Sequence, residues 1–361
     1  MFWYLLNVFI IVLAWLWPQN CFGRDAETVL QRRKKCVCIV ATINWIILSG
    51  CRGLSVGADT YQYKVGHFDV TLNKSWESIF TNIYLKYVMN VAIKDPGYAL
   101  FEKVFQIFSK DYQVYLIAVA IIFFVPLGIL IYRKSSNPCM SYILFSALFF
   151  SFFAITGIRQ TIATSIVVFG GIYLIENRKP VKFIFLSLVA SMIHQSALCF
   201  IPFYWLSQIK INKVSLSVYW VAIVAAFVLR YQFLALLKYF VGYDGYLDGE
   251  GAAAGTFVFL LIILAVFVTC FSKKIVEQND PFIQTAINGL MLSCVFSSLL
   301  LINPAFMRVV QYYSLFMMFV LPACSRVFQT GKNRMLYYFI VNSVLILLLA
   351  VKPHTYVFFW Q

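Results

Sequence analysis

Arg159 stands in Gly157-Ile-Arg-Gln160, between one apolar run over 141–156 and another over 161–175. A guanidinium at the edge of hydrocarbon costs about 3 kcal/mol unless it meets water or an anion, which makes it a candidate ligand for negative charge. The competing assignment is a snorkelling anchor at a helix end. Gln160 and Thr164, spaced i, i+4, continue a polar track from Arg159, although such tracks also join helices to each other. Arg308, Gln311 and Tyr312 are spaced i, i+3, i+4 and share one face at the start of a further apolar helix. Arg52, followed by Gly57, Asp59 and Tyr63, closes the second apolar run of the chain. Three guanidiniums at one membrane face suit a phosphate or pyrophosphate, because each offers a planar fork of donors and a permanent charge.

Proton transfer needs a different group. His194, in Ile193-His-Gln-Ser196, is the histidine that falls in an expected intramembrane turn, and imidazole can take or give a proton near neutral pH. A structural histidine capping a broken helix is the alternative. Asp59 could serve as a base, as the partner of an arginine, or as an ordinary loop carboxylate. His67 and Asp69 form an isolated His-x-Asp pair with no second cluster to complete a metal site. Asp244, Asp248 and Glu250 read as a solvated loop, and most loop tyrosines and tryptophans read as interfacial. The nine cysteines show no Cys-x-x-Cys or Cys/His ligand spacing, so neither a disulfide framework nor a zinc site is expected. No phosphate-binding Walker loop, nucleophile elbow or zinc-protease signature lies on a suitable element.

The scaffold for these residues is a set of membrane helices. Hydrophobic residues make up 62% of the chain and charged residues 12%, against roughly 45–50% and 25% in a soluble domain. The apolar runs are continuous rather than alternating, which selects helices over a barrel. They fall at 2–17, 36–51, 113–132, 140–157, 160–176, 181–193, 196–208, 214–230, 255–271, 282–301, 306–324 and 335–351, twelve segments in one transmembrane domain over 1–361. The first run has no basic residues before it and reads as a retained span rather than a cleaved signal.

The net charge of +15 reflects topology and not nucleic-acid binding. More than half of the 29 Lys and Arg lie in alternate short loops: Arg24 and Arg32–Lys35, Arg133-Lys134, Arg178-Lys179 with Lys182, Lys210 with Lys213, Lys273-Lys274, and Arg326 with Lys332 and Arg334. The positive-inside rule places these in the cytoplasm and both termini outside. Reading 181–208 as one crossing would invert the second half of the chain, so two short or re-entrant segments are expected, turning near Ile193–Ser196. The long outer loop 52–112 carries two helical patterns, Trp76–Met89 and Tyr98–Phe108, separated by Asp95-Pro-Gly97. A shorter outer loop spans 231–254. On this topology Arg52, Asp59, Arg159, Gln160, His194, Gln195, Arg308, Gln311 and Tyr312 share the outer face.

Four pieces of the sequence, in order, resemble the EpsG family of bacterial exopolysaccharide and O-antigen polymerases, similar in role to Wzy polymerases. They are Arg52-Gly-Leu-Ser-Val-Gly-Ala-Asp-Thr-Tyr-Gln-Tyr63, Asp95-Pro-Gly-Tyr98, Gly157-Ile-Arg-Gln160 and Ile193-His-Gln-Ser-Ala197. The resemblance covers roughly 36–323, and the ordered set is more specific than any one piece. Asp95 stands where the family has Glu. The resemblance implies an all-α polytopic enzyme of GT-C-like architecture in the bacterial inner membrane with an outward-facing site. It would join undecaprenyl-pyrophosphate-linked repeat units of a capsule, exopolysaccharide or O-antigen, alongside flippase and chain-length regulator proteins, with no cofactor, metal or nucleic acid. Arg159 and, more weakly, Arg52 would hold pyrophosphate, and His194 or Asp59 would act as base; Arg308 lies outside the four matched pieces and joins the pyrophosphate ligands on topology and helix-face spacing alone. Gln160, Gln195, Gln311, Tyr312, Tyr63 and Asp95 would contact substrate. A lipid-linked oligosaccharide flippase, a histidine acyltransferase and a non-catalytic export component are the rival readings.

Overall fold

Backbone polar groups in hydrocarbon must be satisfied within the segment, so continuous apolar runs fold as helices. The computed structural model describes residues 1–17, 26–241, 255–276, 280–352 and 354–361. These are mostly helical, and the described residues contain no strand, only an isolated antiparallel bridge between Arg52 and Phe358. The principal helices are α1 Phe2–Leu16, α2 Ala26–Gly50, α3 Trp76–Tyr87, α4 Pro96–Phe105, α5 Tyr112–Lys134 and α6 Pro138–Leu148. They continue with α7 Ile158–Glu176, α8 Pro180–Ile193, α9 Lys213–Val228, α10 Gly255–Val276, α11 Pro281–Leu301, α12 Pro304–Ser314, α13 Met317–Val327 and α14 Gly331–Val351.

Five of these, α5, α7, α10, α11 and α14, are long and apolar enough to cross a membrane; the number is seven if each bent pair counts as one span. The pairs are α9 with Arg230–Leu236, bent by 94°, and α12 with α13, bent by 53°. The expected count of twelve therefore includes shorter elements. α1, α6 and α8 have 15, 11 and 14 residues. The run over 140–157 divides into α6 and a π-helical stretch, Ser151–Thr156. The expected segment 196–208 is a 3-10 turn, Gln195–Phe200, followed by the one-turn helix Phe203–Leu206. The run 36–51 is the second half of α2, which begins before the basic residues 32–35. Of the shorter outer loop, 231–241 continues a helix, and Tyr243–Glu250 lies outside the described residues.

Both helical patterns in the long loop form, as α3 and α4. Ser75 caps α3 by accepting a hydrogen bond from the Ser78 amide at 3.1 Å, as a serine N-cap does. The main core centres on Trp45, which stacks on Phe124 at 5.8 Å and meets Phe145 edge-on at 5.1 Å. A second, smaller core joins the loop to the bundle through Phe68, Tyr98, Tyr112, Tyr115, Ile158, Ile162 and Ile193.

The basic loops gather at one end of the bundle. Lys134 pairs with Glu176, the Lys34 amine donates to the Ser135 carbonyl, and Arg326 pairs with Asp280 at 3.2 Å. At the other end the C-terminal segment folds back on the start of the long loop. Gly53 donates to the Val357 carbonyl at 2.8 Å, Phe359 to Cys51 at 3.0 Å, and the Tyr356 hydroxyl to Leu48 at 3.0 Å.

Arg52 sits under this strap and is 3% exposed. Its Nε donates to Thr60 Oγ1 at 3.2 Å, and its Nη1 to the carbonyls of Ser49 and Ala154. It thus ties the end of α2 to the π-helical stretch before Gly157. Hydrogen bonds from a charged donor to buried carbonyls are each worth about 1.5–3 kcal/mol. Replacing Arg52 by Met should lower the unfolding free energy of the purified protein by about 3 kcal/mol, with Lys restoring only part because it lacks the fork. Melting curves that coincide for the three forms would show that the tie is dispensable.

Candidate functional site

Asp95 is the residue on which the candidate site converges. It precedes α4 in the left-handed region, with φ 45° and ψ 56°, a conformation Asp tolerates better than most L-residues. An Asp at this position ordinarily caps its own helix, yet the Asp95 side chain makes no capping bond. Its carboxylate is directed elsewhere. Oδ2 receives Arg159 Nη1 at 3.0 Å and faces His194 Nδ1 at 3.4 Å, while Oδ1 accepts the Gln195 amide at 3.2 Å.

Two backbone features deliver these partners. α8 stops at Ile193, and His194 takes an extended conformation, φ −151° and ψ 110°, before the 3-10 turn. Gly97 allows α4 to dock on that stop: a Cβ there would lie 2.6 Å from Met192 Cβ and 2.8 Å from its carbonyl. The Asp-Pro-Gly sequence therefore sets the turn, starts α4 and permits the close approach.

Arg159 stands at the start of α7, directly after the π-helical stretch, and π turns often occur at functional positions. Its Nε donates to the Tyr63 hydroxyl at 3.2 Å, and its guanidinium carbon lies 5.4 Å from the Tyr63 ring and 5.7 Å from the Tyr98 ring. These distances are in the cation–π range. Nη2 makes no hydrogen bond among the described residues. The side chain remains 14% exposed.

His194 is 6% exposed, and its Nε2 has no hydrogen-bond partner among the described residues. With Nδ1 facing a carboxylate, the favoured tautomer carries its proton on Nδ1 and a lone pair on Nε2. Burial acts to raise the Asp95 carboxyl. The hydrogen bond and charge of His194, the charge of Arg159 and the Gln195 amide outweigh it and hold the carboxyl below the usual aspartate range.

Gln160 Nε2 donates to the Arg308 carbonyl, which joins the start of α7 to α12. Arg308 is close enough to His194 for their charges to interact. Gln311 and Tyr312 are buried on α12, and the Tyr312 hydroxyl meets Ser196 Oγ at 3.2 Å. The structure therefore gathers Tyr63, Asp95, Arg159, Gln160, His194, Gln195, Arg308 and Tyr312 in one neighbourhood. Arg52 is not brought into the cluster, because its guanidinium is bonded to protein carbonyls. Asp59 is exposed one residue before the helix Thr60–Tyr63 and makes no side-chain cap.

Sequence reasoning passed over two residues. Tyr98 was visible in Asp95-Pro-Gly-Tyr98 but not as the ring beneath Arg159. Glu102, at i+4 from Tyr98 and i+7 from Asp95, is fully buried; its signal was a lone carboxylate on the apolar face of an amphipathic helix. Thr71 Oγ1 donates to Glu102 Oε2 at 2.9 Å.

The geometry yields two expectations. Gly97→Ala should push α4 off α8 and expose the 193–195 backbone to hydrogen exchange, whereas Gly66→Ala in the same loop, where a Cβ meets only a side-chain atom at 4.0 Å, should not. Equal protection in both variants would exclude the docking role. A depressed carboxyl contributes stability that is present above its unfolded value, about 3.9, and lost as pH falls through the still lower folded value. Protection of Gln195 should accordingly hold from neutral pH to about 4 and fall below it. Asp95→Asn should abolish that step; a step retained in Asp95→Asn would assign it to another group.

Comparison with protein families matches the family described as EpsG family over residues 34–358. This reaches past the sequence-level resemblance and takes in the C-terminal strap. No curated protein matches. No solved structure matches.

Proposed function

This chain belongs to the EpsG family, and from that premise we propose that it is a membrane polysaccharide polymerase. It joins oligosaccharide repeat units carried on undecaprenyl pyrophosphate, at the outer face of the bacterial inner membrane, within a twelve-segment GT-C-like architecture. The observation that carries the chemistry is the Asp95 carboxylate shared between Arg159 and His194.

In this reading the hydroxyl of one repeat unit attacks the anomeric carbon of another. A carbon–oxygen bond to the acceptor forms as the bond to pyrophosphate breaks, and the electron pair leaves with the lipid pyrophosphate. The acceptor proton passes to His194 Nε2, whose Nδ1–H is oriented by Asp95. Arg159 meets the departing pyrophosphate, and Arg308 approaches from α12; fixed donors aimed at developing charge are the largest electrostatic contribution to such steps. Pyrophosphate draws Arg159 away from Asp95, leaving that carboxylate more fully to the imidazole and making Nε2 a stronger base. Gln160, Gln195, Gln311, Tyr312 and Tyr63 border the substrate. The geometry favours His194 over Asp59 as base, because His194 alone has an oriented, unpartnered nitrogen beside an arginine. Arg52 keeps the scaffold together. The lipid-linked substrate and the bilayer are the partners, with flippase and chain-length regulator proteins acting before and beside it.

A flippase reading is separated by what accumulates. Cells lacking this protein should still export single repeat units, whereas loss of a flippase traps them inside. With purified enzyme and a defined lipid-linked repeat unit, Arg159→Ala should lower the polymerisation rate by about 100-fold or more, and His194→Ala by about 100- to 10,000-fold. Arg159→Lys should recover little, having no fork. Long-chain polymer at the normal rate from both alanine variants would overturn the catalytic assignment.

A further inference from the structure

Glu102 is a buried carboxyl that the proposed reaction does not use. Thr71 Oγ1 satisfies Oε2, but Oε1 completes no hydrogen bond among the described residues, and the residue is fully buried. A carboxylate in that state is far more costly than a carboxylic acid. Tyr98, one turn earlier on α4, lies between Glu102 and Arg159: its ring packs against the guanidinium and its hydroxyl accepts from Tyr115 at 3.2 Å.

The groups around Glu102 offer it no free counter-charge. The Lys103 amine is bonded to the carbonyls of Thr71 at 3.3 Å and Leu72 at 3.1 Å. Arg159 is paired with Asp95. Burial and the neighbouring cations Arg159, Lys74 and Lys94 push His67, whose ring faces Tyr98 at 5.8 Å, down to about 4, so it is neutral above that. Tyr98 stays protonated, since burial pushes its phenol up. Tyr112 and Tyr115 face the carboxyl from α5 as hydroxyls, Tyr87 of α3 and His194 after α8 face Asp95 instead, and Lys74 acts from the loop. Burial accordingly raises Glu102 to about 7, against the lowering effects of Tyr98, Thr71, Arg159 and Lys74.

We propose that Glu102 is a proton-controlled positioning residue: as the neutral acid it seats α4, with Tyr98 beneath Arg159, on Thr71 and on Tyr112 and Tyr115 of α5, and its ionisation loosens that seat. The loosening reaches catalysis through Asp95 and Tyr98, which share α4 with Glu102, and this consequence rests on the polymerase reading. The seating itself does not. A raised carboxyl value makes the folded form hold a proton that the opened form releases. The stabilisation is complete below 4.5, declines as pH rises and is lost above about 7.

The test is hydrogen exchange of residues 96–105 in the full chain in nanodiscs, corrected for intrinsic rates, together with polymer formation across the same pH range. Between pH 6 and 8 the wild-type opening constant should rise about tenfold, the ratio that release of one proton around pH 7 allows. Glu102→Gln keeps an acceptor for Thr71 and cannot ionise, so its protection should be flat and its polymer formation should lose the decline above pH 7. Glu102→Ala should be loosened at both pH values, and Thr71→Val should move the transition to higher pH. Identical pH dependence in wild type and Glu102→Gln overturns the proposal. Absence of polymer at every pH, with the exchange difference intact, overturns the polymerase reading and leaves the seating role supported.

Discussion

A carboxylate removed from water must be paired, and the Asp95 carboxylate organises this end of the molecule because it has three partners from two separate elements. Arg159 comes from the start of α7; His194 and the Gln195 amide come from the break after α8. Removing any one partner leaves the others holding an incompletely compensated buried charge. The left-handed backbone at Asp95 belongs to the same constraint. It turns the chain sharply enough for the carboxylate to leave its own helix end and reach across to two others.

The surrounding fold makes that geometry rigid in layers. Gly97 lets α4 touch α8, and the small core of Phe68, Tyr98, Tyr112, Tyr115 and Ile158 locks α4 and the chain around Phe68 onto α5 and α7. Behind it, Arg52 and the C-terminal strap fix the end of α2 against the backbone that leads into Gly157. Gly57 contributes at one point: at φ 84° and against Ile155, it passes where a side chain would not fit. Long loops are ordinarily mobile; this one is anchored at both ends and in the middle.

How much of this was legible in the sequence follows from the range of each interaction. Helices, the charge segregation and the loop patterns at Trp76 and Tyr98 are local or compositional properties, and they were readable. So was the grouping of Arg159, His194 and Arg308, because alternating charge fixes which ends lie together. The twelve transmembrane or re-entrant segments correspond to five to seven long spans plus shorter elements among the described residues, since apolar runs do not record where π turns, 3-10 turns and bends divide them. The role of Asp95 was not readable beyond its motif. Its pairing spans residues 95, 159 and 194, and nothing in local spacing states that a loop aspartate will forgo capping its own helix. Glu102 was hidden for the opposite reason. A single carboxylate among loop charges looks solvated until Thr71 and Tyr98 are known to enclose it.

Arg52 and Arg159 show why residue type alone could not assign anion binding. Both follow an apolar helix or begin one, both sit in family motifs and both are largely buried. The difference lies in what the fork meets. Arg52 gives its donors to carbonyls and a threonine hydroxyl, neutral acceptors already committed to the backbone turn, so any ligand would have to break the scaffold to reach it. Arg159 gives Nη1 to a carboxylate and Nε to a phenol and lies across two aromatic faces. On the proposed reading a pyrophosphate is a better partner for that fork than one carboxylate, because it carries more charge and more acceptor oxygens. On that reading the exchange leaves the fold's own backbone ties in place, and the carboxylate it would release is the one already facing His194.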